Sequence, residues 1–221
     1  MFDTDFVILG AQVRGGQSHG STPAAPRSLE QCVTGPWPTA PPVGSSLMRT
    51  VVLGEQPAPL RTWLERRRAL GQDRFDEVWG GEYHVAPEAH GRHGDVAHQL
   101  AILLRPRAKL AGLWGSGPLN LGAPDDYRVP DQAYLRQRAT EVWNPAAAIV
   151  VEVLSPGDES YAKLGFYHRL GVEEVLIVDP LRRSVEWYRR AADGLERAEA
   201  SQLLAVTEAE LVAEVDWPPD T

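Results

Sequence analysis

Residues 146–154 read AAAIVVEVL, a run that is apolar on both parities except at Glu152. A strand with one face in the core alternates apolar and polar residues, so an apolar run of this kind reads as a central strand covered on both faces. Glu152 breaks that rule. An unpaired carboxylate in such a place costs several kcal/mol even after relaxation, so this one needs a cation.

Downstream, Ser155, Pro156 and Asp158 read as a helix start: a capping serine, proline at the first helical position and an acid in the first turn. That helix is expected to run to about Leu170 and to stop at Gly171. Val175 to Val178 is a short apolar strand, and the turn DPLRRS leads into SVEWYRR (184–190) as an outer strand, with Trp187 and Tyr188 as packing or dimer contacts. After Asp193 one strand and a short helix are expected. Upstream, Tyr127 to Leu135 alternates, which places Tyr127, Val129, Asp131, Ala133 and Leu135 on one inward side of a strand. A helix from about Arg92 to Leu104 buries Val96, Leu100, Leu103 and Leu104, and His93 shares that face. DEVWGGEYHV (76–85) reads as a hairpin turning at Gly80 and Gly81. Before it, Leu60, Trp63, Leu64 and Leu70 lie at helical spacing with Gly71 as the stop, and Arg66, Arg67 and Arg68 form that helix's solvated face.

Residues 15–46 are rich in Pro, Gly, Ser and Thr and show neither period, so residues 1–47 are expected to be a disordered tail and 48–221 a single domain. Met48, at this boundary, is a candidate initiator. The chain has 221 residues, 43% of them hydrophobic and 24% charged, which suffices for a sizeable core. Its one cysteine, Cys32, excludes an internal disulfide and suits a reducing cytoplasm. The start, MFDTDFVILG, carries acids and no basic residue, unlike a secretory signal, and the longest apolar stretch is too short to span a membrane. A net charge of −8 excludes coating of nucleic acid through bulk electrostatics, so any contact with it is local.

Asp131 and Glu152 bring two carboxylates inward. At about 4 Å they repel by roughly 4 kcal/mol at an effective dielectric near 20, a penalty that a divalent metal removes. Magnesium suits oxygen ligands and keeps several waters. Lys163, one of only two lysines, precedes Phe166 and Tyr167 by one turn and Leu170 by two, so its ammonium is carried on a buried face. It can position a water, help deprotonate it, or stabilise charge on phosphoryl oxygens. His90, His93 and His98 do not share one helix face, which argues against zinc.

VPD (129–131), VEVLSP (151–156) and YAKLGFYHRLGVEEVLIVDP (161–180) resemble the Uma-two family of restriction endonucleases, within the PD-(D/E)XK nuclease superfamily. The resemblance covers roughly Leu60 to Arg190. It implies an α/β fold with a restriction-endonuclease-like core, a mixed central β-sheet flanked by helices, and an added N-terminal helix and hairpin. In the superfamily a lysine stands two residues after the glutamate. Leu154 occupies that place here, and Lys163 matches this family's displaced lysine. The resemblance also implies a metal held by Asp131, Glu152 and the backbone carbonyl of Val153, with Mg²⁺ as cofactor and Mn²⁺ as substitute, and phosphodiester hydrolysis in nucleic acid, expected to be DNA. His93 and Glu77 match supporting positions, with Glu82 as the alternative to Glu77. A double-strand cut calls for two sites, hence a homodimer. The alternative is a binding or regulatory module that keeps the fold without the activity. A two-carboxylate glycosidase fits less well, because an inward lysine has no standard part in that mechanism.

Overall fold

The computed structural model describes residues 58–86 and 90–219, together with two short strands, β1 (Val7–Ile8) and β2 (Thr50–Val52). Apart from β1, the tail expected over residues 1–47 lies outside the described residues, as does Met48. The chain continues through α1 (Ala58–Ala69), β3 (Glu77–Trp79), β4 (Glu82–Val85), α2 (Gly91–Leu110), β5 (Trp114–Ser116), β6 (Asn120–Ala123), β7 (Asp126–Arg128), β8 (Gln132–Leu135), β9 (Trp143–Asn144) and β10 (Ile149–Val153). A 3-10 turn (Ser160–Lys163) then leads into α3 (Leu164–Arg169), β11 (Glu174–Asp179), β12 (Ser184–Arg190), β13 (Leu195–Ala198), β14 (Ala200–Ser201), β15 (Val206–Thr207) and α4 (Glu208–Glu214).

The stretch around Glu152 organises this mixed α/β architecture. β10 pairs parallel with β11 and antiparallel with β8 inside a sheet ordered β13-β12-β11-β10-β8-β5. All five of its residues are buried. Ile149, Val151 and Val153 pack with Val96, Leu100 and Leu104 of α2 and Leu211 of α4, while Val150 joins Ala133, Val175, Ile177, Phe166 and Tyr167 on the opposite face. Both faces are therefore covered by apolar groups, which is why the run is apolar on both parities. Glu152 shares Val150's parity and so points toward α3.

A second sheet, ordered β1-β2-β4-β3-β7-β6-β9, was not anticipated. Leu121 of β6 enters the same cluster as Phe166 and Tyr167, so α3 is enclosed between the two sheets. The approach is tight at Gly122, whose φ is 123° and where a β-carbon would lie 3.0 Å from the Phe166 ring and 2.4 Å from the Asp126 carbonyl. Only glycine meets both demands.

Several expectations need correction. Tyr127 to Leu135 is not one strand: β7 belongs to one sheet and β8 to the other, and Val129, Pro130 and Asp131 cross between them. Pro130 lacks the N–H that a continued ladder requires. No helix begins at Ser155. Instead the Asp158 carboxylate accepts bonds from the backbone N–H of Ser155 (3.3 Å) and Ser160 (2.6 Å), which holds a turn with Gly157 at φ 79°. Such local side-chain bonding competes with helix formation. α2 runs six residues beyond its expected end, through Pro106, and β12 is covered at its edge by β13. α1 has no fully buried residue; it is tied down where Arg67 meets the buried carboxylate of Asp76 at 3.0 Å. No helix among the described residues is long and apolar enough to cross a membrane.

Candidate active site

The two sheets, α2 and the 3-10 turn before α3 meet at a cleft of about 780 Å³, lined by Glu77, His93, Asp131, Glu152 and Lys163 together. Five residues spread over 87 positions of sequence thus share one wall, and each arrives on a different element. β3 contributes Glu77, the first turn of α2 contributes His93, and the crossing between the sheets contributes Asp131. The end of β10 supplies Glu152 and the 3-10 turn supplies Lys163.

Lys163 is the hub. Its ammonium lies 2.9 Å from Glu77 Oε1 and 3.1 Å from Glu152 Oε1, with 12% of its side chain exposed. Burial alone would lower its pKa, but the charges of Glu152 and Glu77 outweigh that and hold it above the usual lysine value. Glu152 goes the other way. Burial pushes its carboxyl up to about 8, with Asp131 and Glu77 adding to the rise and Lys163 opposing it. One ammonium thus serves two acids, and the more deeply buried of the two carries the unmet cost.

Glu77 is fixed at both oxygens. Oε1 also accepts the Val129 N–H at 2.9 Å, and Oε2 accepts the Trp79 indole N–H at 2.6 Å. Trp79 stands two residues along the same strand and so shares its face. Glu82 is 53% exposed and lies 4.0 Å from the His84 ring, so it is Glu77 and not Glu82 that meets Lys163.

Asp131 is held at both ends as well. Oδ2 accepts the Val153 N–H at 2.7 Å, and Oδ1 is 2.8 Å from His93 Nε2, whose other ring nitrogen is 3.2 Å from Ser155 Oγ. Burial would lower the His93 pKa, but the bond to Asp131, helped by the charges of Asp131, Asp158 and Glu152, carries it upward. A protonated His93 donates to Asp131 and orients that carboxylate.

Three contributors escaped the sequence reading. The Tyr167 hydroxyl donates to Glu152 Oε1, Trp79 binds Glu77, and Ser155 meets His93. Tyr167 carries the one signal that was there to find, since it follows Lys163 by four residues and therefore shares its helix face.

Among the described residues no three His, Cys, Asp or Glu side chains surround one point as a ready cage. The donor set nevertheless suits a hard cation that keeps its waters. An ionised carboxylate offers about four acceptor sites, and Asp131 spends two of them on His93 and Val153. Lys163 and Tyr167 both meet Glu152 at Oε1, so among the described residues Oε2 is left for a ligand from the cleft. One or two carboxylates plus water and substrate oxygens is the usual magnesium arrangement.

Over residues 64–218 the chain matches the family model Uma2, described as "Putative restriction endonuclease". Among solved structures it is similar to a crystal structure of "a putative nuclease" from Anabaena variabilis ATCC 29413, at 15% identity with a TM-score of 0.53, covering 63% of this chain and 90% of that one. At that identity the likeness speaks for the fold alone, and the fold is a nuclease fold. No curated protein matches. With the family model spanning well over half of its length, and with its acids and lysine gathered in one cleft, this chain belongs to the Uma2 family of restriction-endonuclease-like nucleases.

Proposed function

We propose that the chain is a Mg²⁺-dependent endonuclease that hydrolyses phosphodiester bonds in DNA, with Mn²⁺ able to substitute. The observation that carries this reading is Lys163 Nζ standing 2.9 Å and 3.1 Å from two buried carboxylates at the wall of an open cleft. An ammonium held in its charged form suits stabilising charge on phosphoryl oxygens and positioning water, and is unsuited to removing a proton.

Asp131, Glu152 and the backbone carbonyl of Val153 would hold the metal. When bound, it would supply Lewis-acid polarisation of a phosphoryl oxygen and a more acidic water. The reaction forms one O–P bond from water and breaks the P–O bond to the leaving sugar, whose oxygen takes up a proton. Within this chain, Asp131 is oriented by His93, Glu152 by Tyr167 and Lys163, and Lys163 itself by Glu77. If both strands of a duplex are cut, a homodimer supplies the second site.

Incubation with plasmid and oligonucleotides in Mg²⁺ or Mn²⁺ tests the proposal. Cleavage that needs the metal and disappears in Lys163→Ala and Glu152→Ala is the expected result. No cleavage by the wild type, together with no heat of Mg²⁺ binding in calorimetry, would leave the non-catalytic module in its place.

A further inference from the structure

Phe75 and Arg74 are not used by the chemistry above, yet both line the same cleft. Phe75 is 54% exposed and belongs to neither apolar cluster, so packing does not explain it. Single exposed aromatics are ordinary on protein surfaces; one lining the same cleft as Lys163 and its acids, next in sequence to an arginine that lines it too, is less so. Its support is firm, because the next residue, Asp76, is 1% exposed and accepts bonds from Arg67 (3.0 Å), the Tyr83 hydroxyl (2.8 Å) and the Ala86 N–H (2.8 Å). The residue after that is Glu77, which holds Lys163. Ring, anchor and acid are thus consecutive.

The charge along this wall is equally informative. Glu77, Asp131, Glu152, Asp158 and Glu159 line the cleft against Arg67, Arg74 and Lys163. Arg67 is engaged by Asp76, and Lys163 by Glu77 and Glu152. Among the described residues Arg74 is the cleft cation without a carboxylate partner. A duplex presents a charge about every 1.7 Å and binds by displacing counterions with many free cations, which this wall does not offer. A single strand carries about half that charge along its axis and exposes base faces that can stack on an aromatic ring beside a cation on the phosphate.

We infer that the cleft receives an unpaired nucleobase stacked on Phe75, with Arg74 on its phosphate, so that the strand at the reaction centre is single-stranded. This rests on the nuclease reading of the same cleft. The substrate class is therefore a loop, a frayed end or a displaced strand rather than a paired duplex.

Fluorescence anisotropy in EDTA, where hydrolysis is blocked, tests the binding alone with one labelled oligonucleotide presented as single strand or as duplex. The single strand should bind at least about tenfold more tightly. Phe75→Ala should raise its Kd by about tenfold, on the order of losing one base–aromatic stack. Phe75→Trp should restore binding, with indole fluorescence quenched by the stacked base. Circular dichroism should show Phe75→Ala folded, as befits an exposed position. Equal or tighter duplex binding, binding of neither form, or an unchanged Kd in Phe75→Ala overturns the inference. Metal-dependent cleavage is scored separately. A duplex cut faster than the single strand, indifferent to Phe75, refutes this inference and leaves hydrolysis standing; single-strand binding without any cleavage refutes hydrolysis alone.

Discussion

Lys163→Met offers the sharpest test of the buried charge cluster. Methionine approximates the volume of the lysine stem but removes the ammonium that lies 2.9 Å from Glu77 and 3.1 Å from Glu152. Breaking a buried ion pair by deleting one partner typically costs about 3–5 kcal/mol, because the remaining charge is left without compensation. For a protein of this size about 2–4 °C in Tm accompanies each kcal/mol, so the variant should melt roughly 6–20 °C below wild type at about pH 9.5. The pH dependence follows from the direction of the Glu152 shift. A carboxyl whose folded pKa lies above its unfolded value contributes stability that is present below the unfolded value and lost as pH rises through the folded one, here about 8. Lys163 is the main influence opposing that rise, so its removal moves Glu152 further up and enlarges the loss. The Glu152 part of the deficit should therefore stay small over about pH 5–7, where Glu152 is neutral in both proteins, and should open as pH rises through about 8 toward about pH 9.5. Thermal melts followed by circular dichroism across that range provide the measurement. A variant that melts with wild type at about pH 9.5, or whose deficit is larger at about pH 5, would show that the ammonium does not neutralise these acids.

Three further outcomes follow from the same geometry. Tyr167→Phe removes the hydroxyl that donates to Glu152 and should raise the Mg²⁺ Kd in calorimetry by about tenfold or more, since a hydrogen bond to a charged group contributes roughly 1.5–3 kcal/mol; an unchanged Kd would detach Tyr167 from metal binding. Glu77→Gln should abolish cleavage while Glu82→Gln leaves it intact, because only the former reaches Lys163, and equal losses in both would contradict that assignment. Glu174→Ala should cost about 3 kcal/mol in denaturant unfolding without changing the activity of the folded fraction. Its buried carboxylate accepts bonds from Ser201 Oγ (2.5 Å), Gln202 N (2.7 Å) and Leu203 N (3.2 Å), at the end of β11 opposite the site, where it faces Ile149.

How much of this was legible in sequence depended on whether the signal was local. The doubly covered strand showed itself through a run of apolar residues, and the charge of Glu152 declared its own need for a partner. Lysine scarcity and helical spacing then singled out Lys163. The second sheet left no such trace, because β6, β7 and β9 are two to four residues long, too short for a period to register, and their partners are remote in sequence. Asp131 was placed inward by an alternation that does not exist as one strand; what aims it is the Val129–Asp131 crossing between sheets and its bond to the Val153 N–H. Glu77 and Glu82 illustrate the deeper limit. They flank the same hairpin turn, and nothing local says which of the two enters the interior. That is decided by where β7 and the 3-10 turn come to rest, since the Val129 N–H and the Lys163 ammonium are the donors that make burial of Glu77 tolerable. A buried charge announces that it needs a partner; the fold chooses which one, and at this site each partner comes from a different element.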